Sequence, residues 1–381
     1  MTAPARKAIL VVSEDWYFLS HRLELARFLQ RAGWEITVVT RVNRPEDAAR
    51  ITAAGLRLVP MPLERARLVS PGDLAYLWRL FRLYRRERPA VVHHVAMKPI
   101  LYGSLAALGA RQAGVVNALA GLGYLFTQTG GRVRVVRNLV LAVFRRLFAR
   151  ERTRVIVQNA EDHALFREQV GVPEKNLRLV RGSGVDPTKH TVVGHGPRAR
   201  PVVALVARLL RDKGIPEFAE AARILRADGL AIRFVIAGAV DEENPNSLST
   251  AEAQALHNEG AVEWLGHQAD VAEVYRGADI AVLPSHREGL PKSLLEAMAC
   301  GLPIVTTDTS GCRELVTDGV NGLLVPVRDA RALADAIRRL AGDSGLRERM
   351  GAAGRRRVER EFAQDLVFAK TEAIYREVAG G

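Results

Sequence analysis

Short unbroken apolar runs, separated by stretches of helical periodicity, organise this chain. Residues 8–12 (AILVV) and 35–40 (EITVVT) flank a stretch of about 21–31 whose apolar positions recur with a helical period, and residues 90–94 (AVVHH) form a further run. Apolar runs that are continuous rather than alternating mark strands buried on both faces, the condition of parallel strands covered by helices. The plan recurs at 202–207 (VVALVA), 233–237 (RFVIA), 280–283 (IAVL), 303–306 (PIVT) and 323–326 (LLVP). The pattern predicts an α/β protein of two doubly wound domains. Between the halves, Pro187, Gly194, Gly196 and Pro197 cluster in a stretch with little periodicity and predict a linker near 186–200. The expected layout is residues 1–190, residues 191–360 and a tail, 361–381, built on a helix over about 362–378.

The segment 286–301 (HREGLPKSLLEAMACG) carries the densest chemistry. Gly289 breaks the chain before Pro291, a residue favoured at the first helical position, and Gly301 and Pro303 end the helix. The first turn of that helix leaves backbone N–H groups unpaired near Lys292 and Ser293. Together with the positive end of the helix dipole they form an anion site suited to a diphosphate. Glu288 lies in the preceding loop. Glu296 lies within the helix, but side chains lean toward the N-terminus, so its carboxylate can reach groups beside a bound phosphate, such as ribose hydroxyls. Two glutamates alone are ordinary on an exposed helix; the strand, turn and helix ending around these two set them apart. Upstream, in 202–214 (VVALVARLLRDKG), a strand ends near Ala207 and presents Arg208 and Lys213 at the carboxyl end of a sheet, where open α/β folds bind ligands. Arginine grips phosphate oxygens as a fork and lysine acts as a point charge, so the pair can neutralise a diphosphate leaving group.

The segment from Glu288 to Gly301 resembles the donor-site motif of the family 4 retaining glycosyltransferases, and the likeness extends more loosely over nearly the whole chain. The resemblance implies the GT-B fold, two Rossmann-like domains facing across a cleft, with a nucleotide-sugar donor and a terminal helix crossing back to the first domain. It also implies Glu288 on donor-sugar hydroxyls, Glu296 on the ribose, and Arg208 with Lys213 as the pyrophosphate pair. The expected catalytic groups are therefore Arg208, Lys213 and Glu288. The expected donor-binding set is Glu296, Gly289, Leu290, Pro291, Lys292, Ser293, Gly238, Leu265 and Gly266, with the base held by backbone near Leu265 and Gly266. Gly238 and Gly266 read equally well as simple turns, and Ser310 with Gly311 as a structural turn. The chain holds no Asp-x-Asp motif to chelate a metal. Cationic side chains are expected to stabilise charge without a metal, and no cofactor is expected, a UDP-sugar being substrate.

The acceptor side is expected in the first domain. Residues 13–22 (SEDWYFLSHR) follow the first strand and lack the paired glycines common there in the wider family. With 93–99 (HHVAMKP) and 120–126 (AGLGYLF) they resemble a bacterial subgroup that builds surface polysaccharides or glycan precursors on polyprenyl diphosphate. That resemblance implies transfer of a hexose or N-acetylhexosamine to a polyprenyl-diphosphate-linked sugar. His94 and Lys98 are placed to contact the acceptor or its phosphates, and Asp15 to position a hydroxyl. His21, Gly121 and Gly123 complete the acceptor-side set. A histidine ending a buried strand is equally a satisfied core residue. Residues 182–186 (GSGVD) lack the third glycine of the dinucleotide fingerprint, which argues against such a cofactor.

Charge adds a partner. The chain has 55 Lys or Arg against 42 Asp or Glu, a net +13 over 381 residues. Residues 65–154 alone hold 17 basic residues and 3 acids, a net +14, so the excess is a patch. Within it, 74–86 (LAYLWRLFRLYRR) is amphipathic, with Arg79, Arg82, Arg85 and Arg86 on one side and Trp78 near the border. Such a surface suits docking on anionic lipid, at roughly 1 kcal/mol per basic residue near the membrane. Nucleic acid is not expected, because no zinc-finger spacing, aromatic RNA-binding signature or recognition-helix motif occurs. Two cysteines and no apolar stretch near the ~20 residues of a spanning helix predict a cytoplasmic chain, peripheral on the inner face of the cell membrane. Two other readings follow from the same residues. A glycoside hydrolase would use Glu288 and Glu296 as acid and nucleophile, and a basic protein without catalysis would bind membrane or nucleic acid.

Overall fold

The computed structural model describes residues 6–64, 70–112, 114–119, 131–192 and 200–380, with backbone alone at 131–136. The chain forms two compact units, one of 1–183 with 367–381 and one of 184–366. Residues 184–190, assigned to the first domain by sequence, fall in the second unit. Their backbone explains it: Val185 N donates to Phe362 O at 3.1 Å, and Gln364 N donates to Val185 O at 2.9 Å.

In the first unit, seven strands form one parallel sheet: β1 (Arg6–Glu14), β2 (Trp34–Arg41), β3 (Arg57–Pro60), β4 (Val91–Val95), β5 (Gly114–Ala118), β6 (Thr153–Val157) and β7 (Leu177–Leu179). Their spatial order is β3-β2-β1-β4-β5-β6-β7. Alternate residues of β1 serve the two faces. Ala8, Leu10 and Val12 pack with Val367, Phe368, Ile374 and Val378 of the last helix (Gln364–Ala379). Ile9 and Val11 pack with Tyr76, Leu80 and Leu83 of the helix Gly72–Glu87. This double burial is why β1 is unbroken in apolar character. The expected helix over about 21–31 is two, Asp15–His21 and Leu23–Arg31, because Arg22 leaves helical geometry at φ −128°.

The second unit repeats the plan with six parallel strands: β8 (Val202–Val206), β9 (Arg233–Ala237), β10 (Glu263–Trp264), β11 (Ile280–Leu283), β12 (Ile304–Thr307) and β13 (Gly322–Val325). Their order is β10-β9-β8-β11-β12-β13. In each sheet the strand order reverses direction once, between β1 and β4 and between β8 and β11. At such a reversal the loops leaving the strand ends diverge to opposite faces and open a crevice.

One buried carboxylate of the first unit is satisfied largely by side chains far apart in sequence. Asp73, at the start of the helix Gly72–Glu87, accepts from Ser70 N at 2.9 Å, Tyr102 Oη at 2.8 Å and Lys98 Nζ at 3.1 Å. Burial alone would raise its carboxyl pKa, but these bonds outweigh it and hold the group below the ordinary value. Asp73→Asn should lower the urea unfolding free energy by about 1–3 kcal/mol near neutral pH. A depressed carboxyl supplies stability only where the unfolded carboxyl is ionised, so the difference should vanish as pH falls through the folded pKa, below about 4.

Candidate functional site

The site in the second unit is built where β8 and β11 end side by side. After β8, Ala207 N still donates to Ala237 O, and the chain then turns through Arg208 to Gly214 before the helix Ile215–Ala227. Gly214 sits at φ 74°, and a Cβ there would lie 2.1 Å from the carbonyl oxygen of Pro284. Only glycine admits that approach. Hydrogen bonds fasten the two loops at the same place: His286 N to Asp212 O at 2.8 Å and Ser285 Oγ to Asp212 O at 3.0 Å. Thr307, ending β12, donates its hydroxyl to Ser285 O.

Fastened in this way, Lys213 and Glu288 meet although 75 positions separate them, with Nζ 2.5 Å from Oε1 and side chains 22% and 10% exposed. Arg208 is half-exposed and bonded to Asp241. Behind the pair, His286 Nε2 meets Glu217 Oε1 at 2.9 Å. Gly311 proves to be a support that sequence reasoning left open: a Cβ on it would lie 2.5 Å from Gly289 O and 2.6 Å from Glu288 O. The backbone carrying Glu288 therefore rests directly on the turn at Ser310–Arg313.

The helix that follows runs Lys292–Ala299 and has no side-chain cap. Pro291 stands just before it rather than at its first position, and its carbonyl accepts from Leu295 N at 3.3 Å. The N–H groups of Lys292, Ser293 and Leu294 precede that first helical bond. Glu296 is bonded to Lys292 one turn earlier, which draws its carboxylate toward the helix start. Leu290 points into the core, so backbone alone is left to it for contact with a ligand. Gly238 is more than a turn: a Cβ on it would lie 1.7 Å from Ala207 O, and its N–H donates to Gly266 O at 2.8 Å. Gly266 holds φ 69°, and Leu265 N donates to Ile236 O at 2.9 Å. Cys300 and Cys312 are buried, and burial pushes their thiols up to about 12 and about 11. Neither is poised as a nucleophile.

The expected acceptor side fares differently. His94 is fully buried; Nδ1 lies 2.8 Å from Asn117 Oδ1 and Nε2 3.0 Å from Tyr84 Oη. Burial pushes it down to about 4, so it is a neutral core residue and contacts no acceptor. Asp15 is also buried, and its carboxylate accepts from Asn43 N at 2.6 Å, Asn43 Nδ2 at 2.7 Å and Trp16 N at 2.8 Å. It fixes the loop after β2 and has no oxygen left for a substrate hydroxyl. Lys98 spends its ammonium on Asp73 and on Glu64 O at 2.7 Å. The expectations for His94 and Asp15 are corrected, because a buried polar group must find partners inside the protein; Lys98, partly exposed on the helix Met97–Gly109, is held by its ion pair with Asp73. His21 remains half-exposed, stacked on Tyr17 at 4.3 Å between ring centroids. Gly121 and Gly123 lie outside the described residues. A further feature of this edge escaped the sequence: Ala96, directly after β4, holds φ 77°, a strained value of the kind found at functional edges.

Comparison with known proteins adds independent findings. Residues 20–183 match the glycosyl transferase 4-like domain, and residues 193–357 match glycosyl transferases group 1. The chain is 29% identical over 350 residues to the N,N'-diacetylbacillosaminyl-diphospho-undecaprenol alpha-1,3-N-acetylgalactosaminyltransferase of Campylobacter jejuni, covering 87% of this chain and 90% of that one. It is 26% identical to the capsular polysaccharide biosynthesis glycosyltransferase CapM of Staphylococcus aureus, over 80% of this chain and 81% of that one. Among solved structures, Anabaena HepE in complex with UDP and glucose superposes with a TM-score of 0.79 at 17% identity, covering 97% and 98% of the two chains. Sucrose-phosphate synthase from Thermosynechococcus elongatus gives 0.77 at 21% identity, covering 98% and 99%.

The contact at Gly214 predicts a sharp substitution effect. Gly214→Ala should cost 2 kcal/mol or more, roughly 1 of it from the left-handed backbone and the rest from displacing the end of β11. Urea unfolding at neutral pH measures it, and an unchanged midpoint would mean that the two loops are not in contact.

Proposed function

This chain is a GT-B glycosyltransferase, built from the glycosyl transferase 4-like and group 1 domains, and we propose that it moves a hexose or N-acetylhexosamine from a UDP-sugar to a polyprenyl-diphosphate-linked sugar with retention of configuration. The observation that carries the proposal is the Lys213–Glu288 pair beside an uncapped helix start at the strand-order reversal of the second sheet. The N–H groups at that start, Lys213 and Arg208 together offer a diphosphate several donors, the two cations being held in place by the carboxylates of Glu288 and Asp241. Glu288, fixed by Lys213 through one oxygen, keeps the other for a sugar hydroxyl. Glu296, held near the helix start by Lys292, reaches the ribose. Gly238, Leu265 and Gly266, tied to one another and to β9 by backbone hydrogen bonds, form the edge where the base would lie.

In the proposed reaction the acceptor hydroxyl attacks the anomeric carbon on the face from which the nucleotide departs. Its proton passes to an oxygen of the leaving β-phosphate. Arg208, Lys213 and the helix N–H groups stabilise the charge that grows on the diphosphate as the glycosidic bond breaks, and no metal takes part. The acceptor class is drawn from the Campylobacter jejuni relative, whose name specifies an undecaprenol-diphosphate-linked sugar, and from the role of CapM in capsular polysaccharide. A hydrolase reading is disfavoured, because Glu288 and Glu296 are each bonded to a separate lysine, an arrangement for clamping a ligand.

The proposal includes a membrane partner. Among the described residues no helix is long and apolar enough to cross a membrane. The helix Gly72–Glu87 instead exposes Leu74 (75%) and Trp78 (58%), one turn apart, with Trp78 stacked on Phe81 at 5.1 Å. Exposed Arg79 and Arg82 flank them. Apolar anchors beside basic side chains suit an anionic lipid surface, on which the chain would sit at the inner face of the membrane.

Arg208→Ala and Lys213→Ala should each reduce turnover by roughly 10²–10³-fold, the usual loss for one donor to a developing oxyanion. Sugar transfer from a panel of UDP-sugars to a polyprenyl-diphosphate-sugar measures this, and activity equal to the parent protein would remove the leaving-group role. A saturating chelator should leave the rate unchanged. Leu74→Asp with Trp78→Asp should abolish flotation with phosphatidylglycerol vesicles while leaving transfer to a short-chain, water-soluble acceptor intact. Undiminished flotation would exclude this helix as the docking face.

A further inference from the structure

The first unit has a polar concavity at the edge where strands of its sheet begin. A pocket of about 530 Å³ is lined by Arg85, Arg88, Arg111, Gln112, Arg152 and Ala379, among others. Ala90, also in its wall, precedes β4; Gln112 lies just before β5; and Arg152 directly precedes β6. The pocket thus opens at the N-terminal ends of three neighbouring strands. A five-residue strand spans roughly 16 Å, so the acceptor-side loops at the other ends are remote from it.

Its electrostatics are one-sided, since no carboxylate lines it. Among the described residues, the guanidinium groups of Arg85, Arg88, Arg111 and Arg152 make no hydrogen bond or ion pair, whereas nearby Arg57 and Arg86 both bind Glu87. Balancing the negative ends of neighbouring helices is the plainest use for such arginines. Three helices, Gly72–Glu87, Met97–Gly109 and Gln364–Ala379, do finish at this edge. Each helix end carries about half a negative charge, so four guanidinium charges leave an excess of about two and a half. The rim is also held in shape. Arg88 and Arg111 both have left-handed backbone, φ 45° and 55°, a conformation that non-glycine residues keep only where the surroundings impose it. Buried Gln112 donates its amide to Pro89 O and so ties the two turns together.

We infer that this pocket binds a compact anion carrying two or more negative charges, of the phosphate or diphosphate class. Four unpaired guanidinium groups in a concave wall match the oxygens of such a group, each able to offer paired N–H donors. The anion comes either from a free phosphate compound or from the headgroup of an anionic lipid, since Arg85 shares its helix with Trp78. The inference does not rest on the donor-site proposal, and its test keeps the two apart.

The test is titration calorimetry of the full chain with inorganic pyrophosphate, in a background of Arg208→Ala and Lys213→Ala that removes the proposed donor-site cations. Pyrophosphate should bind that background, and adding Arg88→Gly with Arg111→Gly should weaken it at least tenfold. Glycine keeps both left-handed turns, so the fold should survive; Arg85→Gln with Arg152→Gln is the second variant and should weaken binding by a similar factor. Flotation with phosphatidylglycerol vesicles separates the sources. If pyrophosphate displaces the protein from vesicles and the arginine variants float less, the site takes a lipid headgroup; if flotation is unaffected, it takes a soluble phosphate. Equal pyrophosphate affinity with and without the arginines, or no binding in the background together with unaltered flotation of the variants, overturns the inference.

Discussion

The proposed donor site depends on a single close approach, that of Gly214 to the carbonyl of Pro284. In a parallel sheet the strand ends that bear ligand-binding loops lie in a row, and a reversal of strand order leaves two of those loops adjacent with no helix between them. Here they follow β8 and β11. A side chain at position 214 would hold them apart, whereas glycine lets Ser285 and His286 bond to Asp212 O and brings Lys213 onto Glu288. Gly238 against Ala207 O and Gly311 against Glu288 O extend the same logic to the neighbouring loops. The site is stiff because backbone touches backbone, and stiffness is what an electrostatic catalyst requires of its charges.

The first unit uses the same topology for a different end. At its strand-order reversal the polar side chains turn inward: His94 to Asn117 and Tyr84, Asp15 to Asn43, Lys98 to Asp73. His93 joins them through Tyr375 Oη at 2.8 Å, tying the last helix to the sheet. Each group would be costly to bury alone, and each is stabilised by a partner from another element. These networks fix the shape of that sheet edge from within. The same unit carries the excess positive charge, displayed on the outward face of one helix and concentrated in the arginine pocket at the far edge of the sheet.

Much of this was legible in the chain itself. Strands buried on both faces must be apolar throughout, so β8, β9 and β11 stand out within a residue of their observed limits. The loop and helix of 286–301 were legible for a related reason: glycine, proline and a helix start at close spacing constrain the backbone locally, whatever the rest of the chain does. β5, β6 and β7 were missed because Asn117, Thr153, Arg154 and Arg178 interrupt their apolar character, and β3 because it is short and half-exposed at the sheet edge.

The acceptor-side residues mark the limit of such reading. Sequence alone determined the two doubly wound halves, the strand-to-helix loops that carry Arg208, Lys213 and Glu288, and the confinement of charge to 65–154, since each depends on periodicity, local backbone preference or composition. Only the tertiary structure decided that Lys213 pairs with Glu288, that Gly311 underlies it, that His94 and Asp15 are spent inside the fold, and that four arginines from three segments of the chain converge on one pocket. The physical reason is that a polar side chain's role is set by which partner reaches it first. Those partners lie tens of positions away, brought in by strand order rather than by spacing.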